Sequence, residues 1–290
     1  MMNIRLSGHI FFLALAAALM AVTACSALLP AVRDEIANRI AGPSFMQVRH
    51  ITAKPFVLTV FERVWKRGMP ATVYIEGDGM AYFSRNTPSL DPTPVNPIAL
   101  HLASRDNGPN VIYLARPCQY TKMADPNTPC PNAYWTSGRF SSDVIDSMST
   151  ALDDIKIRYR IEQFNLVGFS GGAAVAVLLA ASRNDIVSIR TVAGNLDPKT
   201  LNTLHGVSQL TQSLDPRDAA AKIAHIPQHH FIGDWDEIVT PPVFDAYRAA
   251  AGRTSCIRSS IVHEATHETG WVNQWPELLK AELDCNAANP

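Results

Sequence analysis

The sequence has almost no net charge: 25 basic and 26 acidic side chains leave −1 over 290 residues. With no basic excess to neutralise phosphates, the electrostatic footprint of a nucleic-acid-binding protein is missing. Cysteine is scarce, at five residues. No two cysteines stand at the C-x-x-C spacing that zinc sites use, so no metal is expected. There is no internal repeat, which excludes a repeat architecture. Low-complexity sequence is confined to short proline clusters, and no linker divides the chain. What is present is 47% hydrophobic and 18% charged, an ordinary composition that supports a sizeable core.

The amino terminus is patterned for export. Arg5 supplies a positive n-region, residues 10–22 are apolar and uncharged, and Val22-Thr23-Ala24-Cys25-Ser26 follows. This segment resembles the lipobox of bacterial lipoproteins. The resemblance implies cleavage before Cys25 and lipidation of that cysteine. Ser26 then points to the outer membrane, facing the periplasm. A single membrane-spanning anchor over residues 10–29 and plain secretion are the alternatives. All three send the folded part out of the cytoplasm. The expected organisation is a signal peptide at 1–24, an anchor and connector at 25–50, and one domain at 51–290.

With Cys25 set aside, Cys118, Cys130, Cys256 and Cys285 remain. An even count in an exported chain suggests two disulfides, with three pairings open. Cys118–Cys130 is favoured because it closes a short, proline-rich loop. Cys256–Cys285 then follows by elimination.

Short apolar strands are expected at 56–65, 71–75, 110–115, 164–167, 186–192, 229–232 and 257–262. Helices are expected at 98–104, after Ser141-Ser142-Asp143, and at 171–182, 218–223, 242–251 and 271–283. Residues 30–50 read as a connector or a first helix, and 198–215 as an irregular excursion. Strands separated by helices or long loops predict an α/β fold with a mostly parallel sheet covered on both faces.

Between one such strand and helix lies Gly168-Phe169-Ser170-Gly171-Gly172. A G-x-S-x-G pattern is expected by chance only about 0.1 times in a chain this long. Its placement carries more weight than its rarity. On a tight strand–turn–helix joint the glycines remove collisions, and the serine is thrust out at the carboxyl end of the sheet. The helix N-terminus favours negative charge there.

A serine hydroxyl needs a base to become a nucleophile, so an acid and then a histidine should follow. Asp236 stands after the strand at 229–232, and His267 after the strand at 257–262. Asp234 is the competing acid and Asp197 an alternative location. His263 is the competing histidine. His229 and His230 read as core or surface residues, and His205 as a surface residue that could line a pocket. Tyr113, Tyr120, Tyr134 and Trp135 are either an aromatic substrate wall or packing for the cysteine loop.

These residues resemble the α/β-hydrolase superfamily over about residues 71–283. The segments Arg116-Pro117-Cys118-Gln119-Tyr120, Tyr134-Trp135-Thr136 and Ala193-Gly194-Asn195-Leu196-Asp197 resemble an uncharacterised group of exported bacterial serine hydrolases. The superfamily resemblance implies an α/β-hydrolase fold, with Ser170 as nucleophile, His267 as base and Asp236 as acid. It also implies an oxyanion site made by the backbone N–H groups of Asp78 and Gly171. In Tyr74-Ile75-Glu76-Gly77-Asp78-Gly79, Glu76 replaces the histidine usual before that glycine. The implied activity is hydrolysis of a small-molecule or other acyl substrate, most simply a carboxylic ester, with no cofactor. A peptidase or amidase, or a non-catalytic envelope-anchored binding protein, are the alternatives.

Overall fold

The computed structural model describes residues 31–120 and 130–285. The segments read as signal peptide and lipidation site, including Cys25, lie outside the described residues. Residues 31–41 form helix α1, which buries Ala37 and Ala41. Strands β1 (Gln47–Ala53) and β2 (Phe56–Val64) form an antiparallel hairpin. β1 thus begins ahead of the boundary expected at residue 51, in a stretch read as connector. The face carrying Val48, His50 and Thr52 is exposed, and on the other only Ile51 and Ala53 are buried, so few residues signal burial.

After the hairpin come β3 (Ala71–Ile75), the short pair β4 (Tyr82–Ser84) and β5 (Thr87–Pro88), α2 (Ile98–Arg105) and β6 (Asn110–Leu114). Helix α3 (Ser142–Tyr159) leads to β7 (Phe164–Phe169), α4 (Gly171–Ser182) and β8 (Ile186–Val192). The excursion expected to be irregular contains α5 (Pro198–Leu204) and the single turn α6 (Pro216–Ala219). Asp197 nucleates α5, accepting from Thr200 N–H, with Pro198 in the first turn. The chain ends with β9 (Gln228–Gly233), α7 (Pro241–Ala250), β10 (Ile257–Val262) and α8 (Trp271–Leu278). α8 stops short of the expected 283 and carries Pro276.

The main sheet runs β1-β2-β6-β3-β7-β8-β9-β10. β2 is antiparallel to both neighbours, and every pairing from β6 to β10 is parallel. Alternation along each strand feeds two cores. Val73, Ile75, Ile112, Leu114 and Leu166 point to one face, where α3 and α4 pack. Tyr74, Val111, Tyr113 and Val167 point to the other, with α1, α2 and α8. α4 is apolar on every side and buried from Gly171 to Ala180, as a helix in the middle of a layered domain must be.

Both favoured disulfides are present, Cys118–Cys130 and Cys256–Cys285. The second ties the start of β10 to the segment after α8.

Candidate active site

Ser170 occupies the one-residue joint between β7 and α4, with φ of 49°. That left-handed backbone is uncommon for a residue with a β-carbon and marks a strained turn. Two glycines make the turn possible. A β-carbon on Gly168 would lie 2.5 Å from Ala173 Cα, and one on Gly172 would lie 2.2 Å from the Ile75 carbonyl oxygen. The joint is locked by Ser170 N–H donating to Val192 O and Asn195 N–H donating to Ser170 O.

Two later loops converge on this hydroxyl. His267, after β10, places Nε2 2.9 Å from Ser170 Oγ. Its Nδ1 lies 3.0 Å from Asp236 Oδ2, in the loop after β9. Asp236 is buried, and its other oxygen accepts from Ile238 N–H (2.8 Å) and Val239 N–H (2.9 Å). One carboxylate oxygen is therefore anchored to backbone and the other is left for the imidazole. The histidine loop is held by α8, where the buried Trp271 indole donates to Thr266 O and His267 O. Phe169 packs on the imidazole, with ring centroids 5.4 Å apart.

The competing residues go elsewhere. His263 pairs with Asp234 at 2.9 Å on the surface. Asp197 is fully buried, caps α5 and faces Arg217. His229 contacts Ser260, and His230 contacts Thr191 and Gln228 inside the sheet. His205 lies 2.7 Å from Ile238 O and lines a groove beside the site.

The loop after β3 forms the opposite wall. Glu76 N–H donates to Leu114 O, Gly77 N–H to Glu76 Oε1 and Met80 N–H to Pro92 O. Among the described residues the N–H groups of Asp78 and Gly171 have no protein acceptor, as an anion-binding pair requires. The Asp78 side chain is tied to Arg116 at 3.2 Å and to Arg139, and Arg116 also donates to Arg139 O. Burial pushes the Asp78 carboxyl up, but the Arg139 and Arg116 charges outweigh it and hold it below its ordinary value. Glu76 is buried, and its Oε1 also reaches Ala99 N–H at 3.4 Å. Burial raises its pKa to about 7, with the Gly77 and Ala99 N–H groups pulling the other way.

Sequence reasoning missed the Arg116–Asp78–Arg139 cluster. Its members are far apart along the chain; Asp78 and Arg116 stand in motifs quoted for other reasons, and Arg139 stands in none. Of the aromatic residues weighed as a substrate wall, Tyr113 and Tyr120 are buried beside Phe61, and Tyr134 packs on Phe56. They are packing residues.

The cleft at Ser170 has a volume of about 470 Å³ and is walled by Asp78, Met80, Tyr82, Phe169, Ile238 and His267 among others.

A mostly parallel eight-stranded sheet carries Ser170 on a strand–turn–helix joint at the carboxyl edge of its sheet, which defines an α/β protein. The chain has the α/β-hydrolase fold. No protein-family model matches the sequence, and no curated protein matches it. Solved structures do. A bacterial membrane phospholipase A described as a virulence factor is 14% identical, with a TM-score of 0.55 over 93% of this chain and 97% of that one. Est1E from Butyrivibrio proteoclasticus is 13% identical, with a TM-score of 0.56 over 80% and 96%. An α/β serine hydrolase without a lid from Xanthomonas campestris is 13% identical, with a TM-score of 0.51 over 82% and 97%.

Proposed function

We propose that the protein is a serine hydrolase that cleaves a carboxylic ester. The carrying observation is the continuous relay Asp236 Oδ2–His267 Nδ1 (3.0 Å) and His267 Nε2–Ser170 Oγ (2.9 Å). Ser170 Oγ attacks the carbonyl carbon as His267 Nε2 takes its proton, and the carbonyl oxygen becomes an oxyanion. The N–H groups of Asp78 and Gly171 receive that charge, each worth about 3 kcal/mol in the transition state. The tetrahedral species collapses with loss of the alcohol, protonated by His267. Water, deprotonated by the same imidazole, then releases the acid and restores Ser170. Asp236 orients the ring and stabilises its charged form. The similar folds of an esterase, a lidless serine hydrolase and a phospholipase A favour acyl-ester chemistry.

A fluorophosphonate probe tests this reading. Wild type should be labelled and Ser170→Ala should not. No labelling, or equal labelling of the two, overturns it. Turnover of peptide amides but not of short acyl esters overturns the ester assignment.

We read residues 1–24 as an export signal and Cys25 as the lipidated residue. The two disulfides in the domain suit an oxidising compartment. Incorporation of a palmitate analogue that Cys25→Ala abolishes is the expected outcome.

A further inference from the structure

Tyr82 is one wall of the cleft at Ser170. On the far side of that ring a larger groove of about 740 Å³ opens between the β4–β5 pair and the segment after α5. The two spaces share Tyr82 as a wall. They are also joined by side chains. Arg139 of the groove grips Asp78 of the cleft, and His205 of the groove binds the carbonyl of Ile238 in the cleft.

Their charges differ. Glu76, Asp78 and Glu268 line the cleft. The groove is lined by Arg85, Arg139 and His205, with Ser84, Asn86 and Asn202 as neutral polar groups, and among the described residues no carboxylate lines it. Arg139 is committed to Asp78, yet one carboxylate faces two guanidiniums there, because Arg116 shares it. Arg85 is exposed, and among the described residues its one hydrogen bond is a long contact of 3.4 Å to Gly206 O. Among the described residues it has no ion pair. A planar cation with five donors, held by one weak bond over a groove without carboxylates, is arranged to receive an anion.

We propose that this groove is a subsite for an anionic group carried by the ester that Ser170 attacks, with Arg85 as the specificity-determining residue. The inference rests on the serine-hydrolase reading and adds the substrate class: an acyl ester bearing a phosphate or carboxylate. Binding that group in the groove leaves the ester free to lie across Tyr82 toward Ser170.

The test compares matched esters. 4-Nitrophenyl butyrate is neutral. 4-Nitrophenyl hemiglutarate carries the anion on the acyl side, and the butyrate of 3-carboxy-4-nitrophenol carries it on the leaving side. One anionic ester should exceed the neutral one in kcat/KM, mainly through KM, and which one it is reports the direction in which substrate lies. The anionic-to-neutral ratio should fall about tenfold in Arg85→Ala, the size of one charge-assisted hydrogen bond. It should fall further in Arg85→Glu and largely survive in Arg85→Lys. Hydrolysis of the neutral ester with no anionic preference, or a ratio unmoved by Arg85→Ala, overturns the subsite and leaves the hydrolase reading standing. A second arm needs no turnover: phenyl phosphate should bind the intact protein in calorimetry and bind Arg85→Glu markedly less. Absent binding, or equal binding by the variant, also overturns the subsite. Inert esters with intact phenyl phosphate binding overturn the hydrolase reading instead.

Discussion

The Asp78 carboxylate lies so close to Gly171 that a β-carbon there would fall 2.1 Å from Asp78 Oδ1. The two residues whose N–H groups face the expected oxyanion are thus in contact, and the contact tolerates only glycine. Asp78 cannot retreat easily, because Arg116 and Arg139 hold it. Gly171→Ala should therefore displace the loop after β3 and cost about 10²-fold in kcat, comparable to losing one oxyanion donor. Steady-state ester kinetics with a matched unfolding curve checks this. An unchanged kcat would dissociate the contact from the reaction.

Asp236→Asn should keep the fold and lose most of the activity. The amide oxygen can still accept from Ile238 N–H and Val239 N–H, but the group facing His267 no longer carries charge. A drop in kcat of about 10⁴-fold is expected from the wrong tautomer and the lost stabilisation of the imidazolium. The matching change at the surface pair, Asp234→Asn, should leave kcat within about twofold, because exposed pairs contribute little.

Removing the Asp78 carboxylate should destabilise the protein. Arg116 is 4% exposed and would be left without its carboxylate. Truncating one partner of a buried pair costs about 3–5 kcal/mol, so Asp78→Ala should shift the denaturant midpoint down strongly. Adding Arg116→Met should recover part of the loss, because the stranded charge is then gone. Additive destabilisation would refute the pairing.

Glu76 and Asp78 should tilt stability with pH in opposite directions. The folded Glu76 pKa is raised from 4.5 to about 7, so the folded state binds more protons between those values. Its contribution is therefore fully present below about pH 4.5 and is lost as pH rises through about 7, with a total of about 3 kcal/mol. Asp78 is lowered, so its contribution is present above the ordinary aspartate value and is lost as pH falls through its folded value. Glu76→Gln should remove the alkaline loss and make the protein relatively more stable at pH 8 than at pH 5. Urea unfolding across that range reads it directly.

The disulfide between Cys118 and Cys130 closes a loop with a sequence separation of 12. Replacing both cysteines by alanine should cost about 3 kcal/mol by the loop-entropy argument. The separation of 29 for Cys256–Cys285 predicts a slightly larger loss, about 3.5 kcal/mol. Thermal melts of the two double variants, with and without reductant, test both values. Under reductant, which opens both bridges, wild type and the two variants should melt together, below either variant without reductant.

Much of the fold was legible because strands buried on both faces leave apolar runs. β3, β6, β7 and β8 read this way. β1 did not, since most of its residues face solvent and an edge strand needs few apolar side chains. α5 leaves little apolar periodicity in the sequence, since only Pro198 of it is buried, although Asp197-Pro198 is a helix-start signal. The order serine, aspartate, histidine placed Ser170, Asp236 and His267 in three separate loops, and the structure brings those three together. Both histidine–aspartate pairs, His267–Asp236 and His263–Asp234, sit within hydrogen-bond range. Only Ser170 distinguishes them.

The sequence by itself determined the periodicities, the small residues at 168, 171 and 172, and the chain order of the reactive groups, because these depend on neighbours a few residues away. The tertiary structure alone decided which carboxylate meets which imidazole. It also set Asp78 between two arginines and brought Arg85, Arg139 and His205 to one groove. Charges separated by tens of residues acquire partners only when the sheet stacks their strand ends along one edge, and no local pattern carries that information.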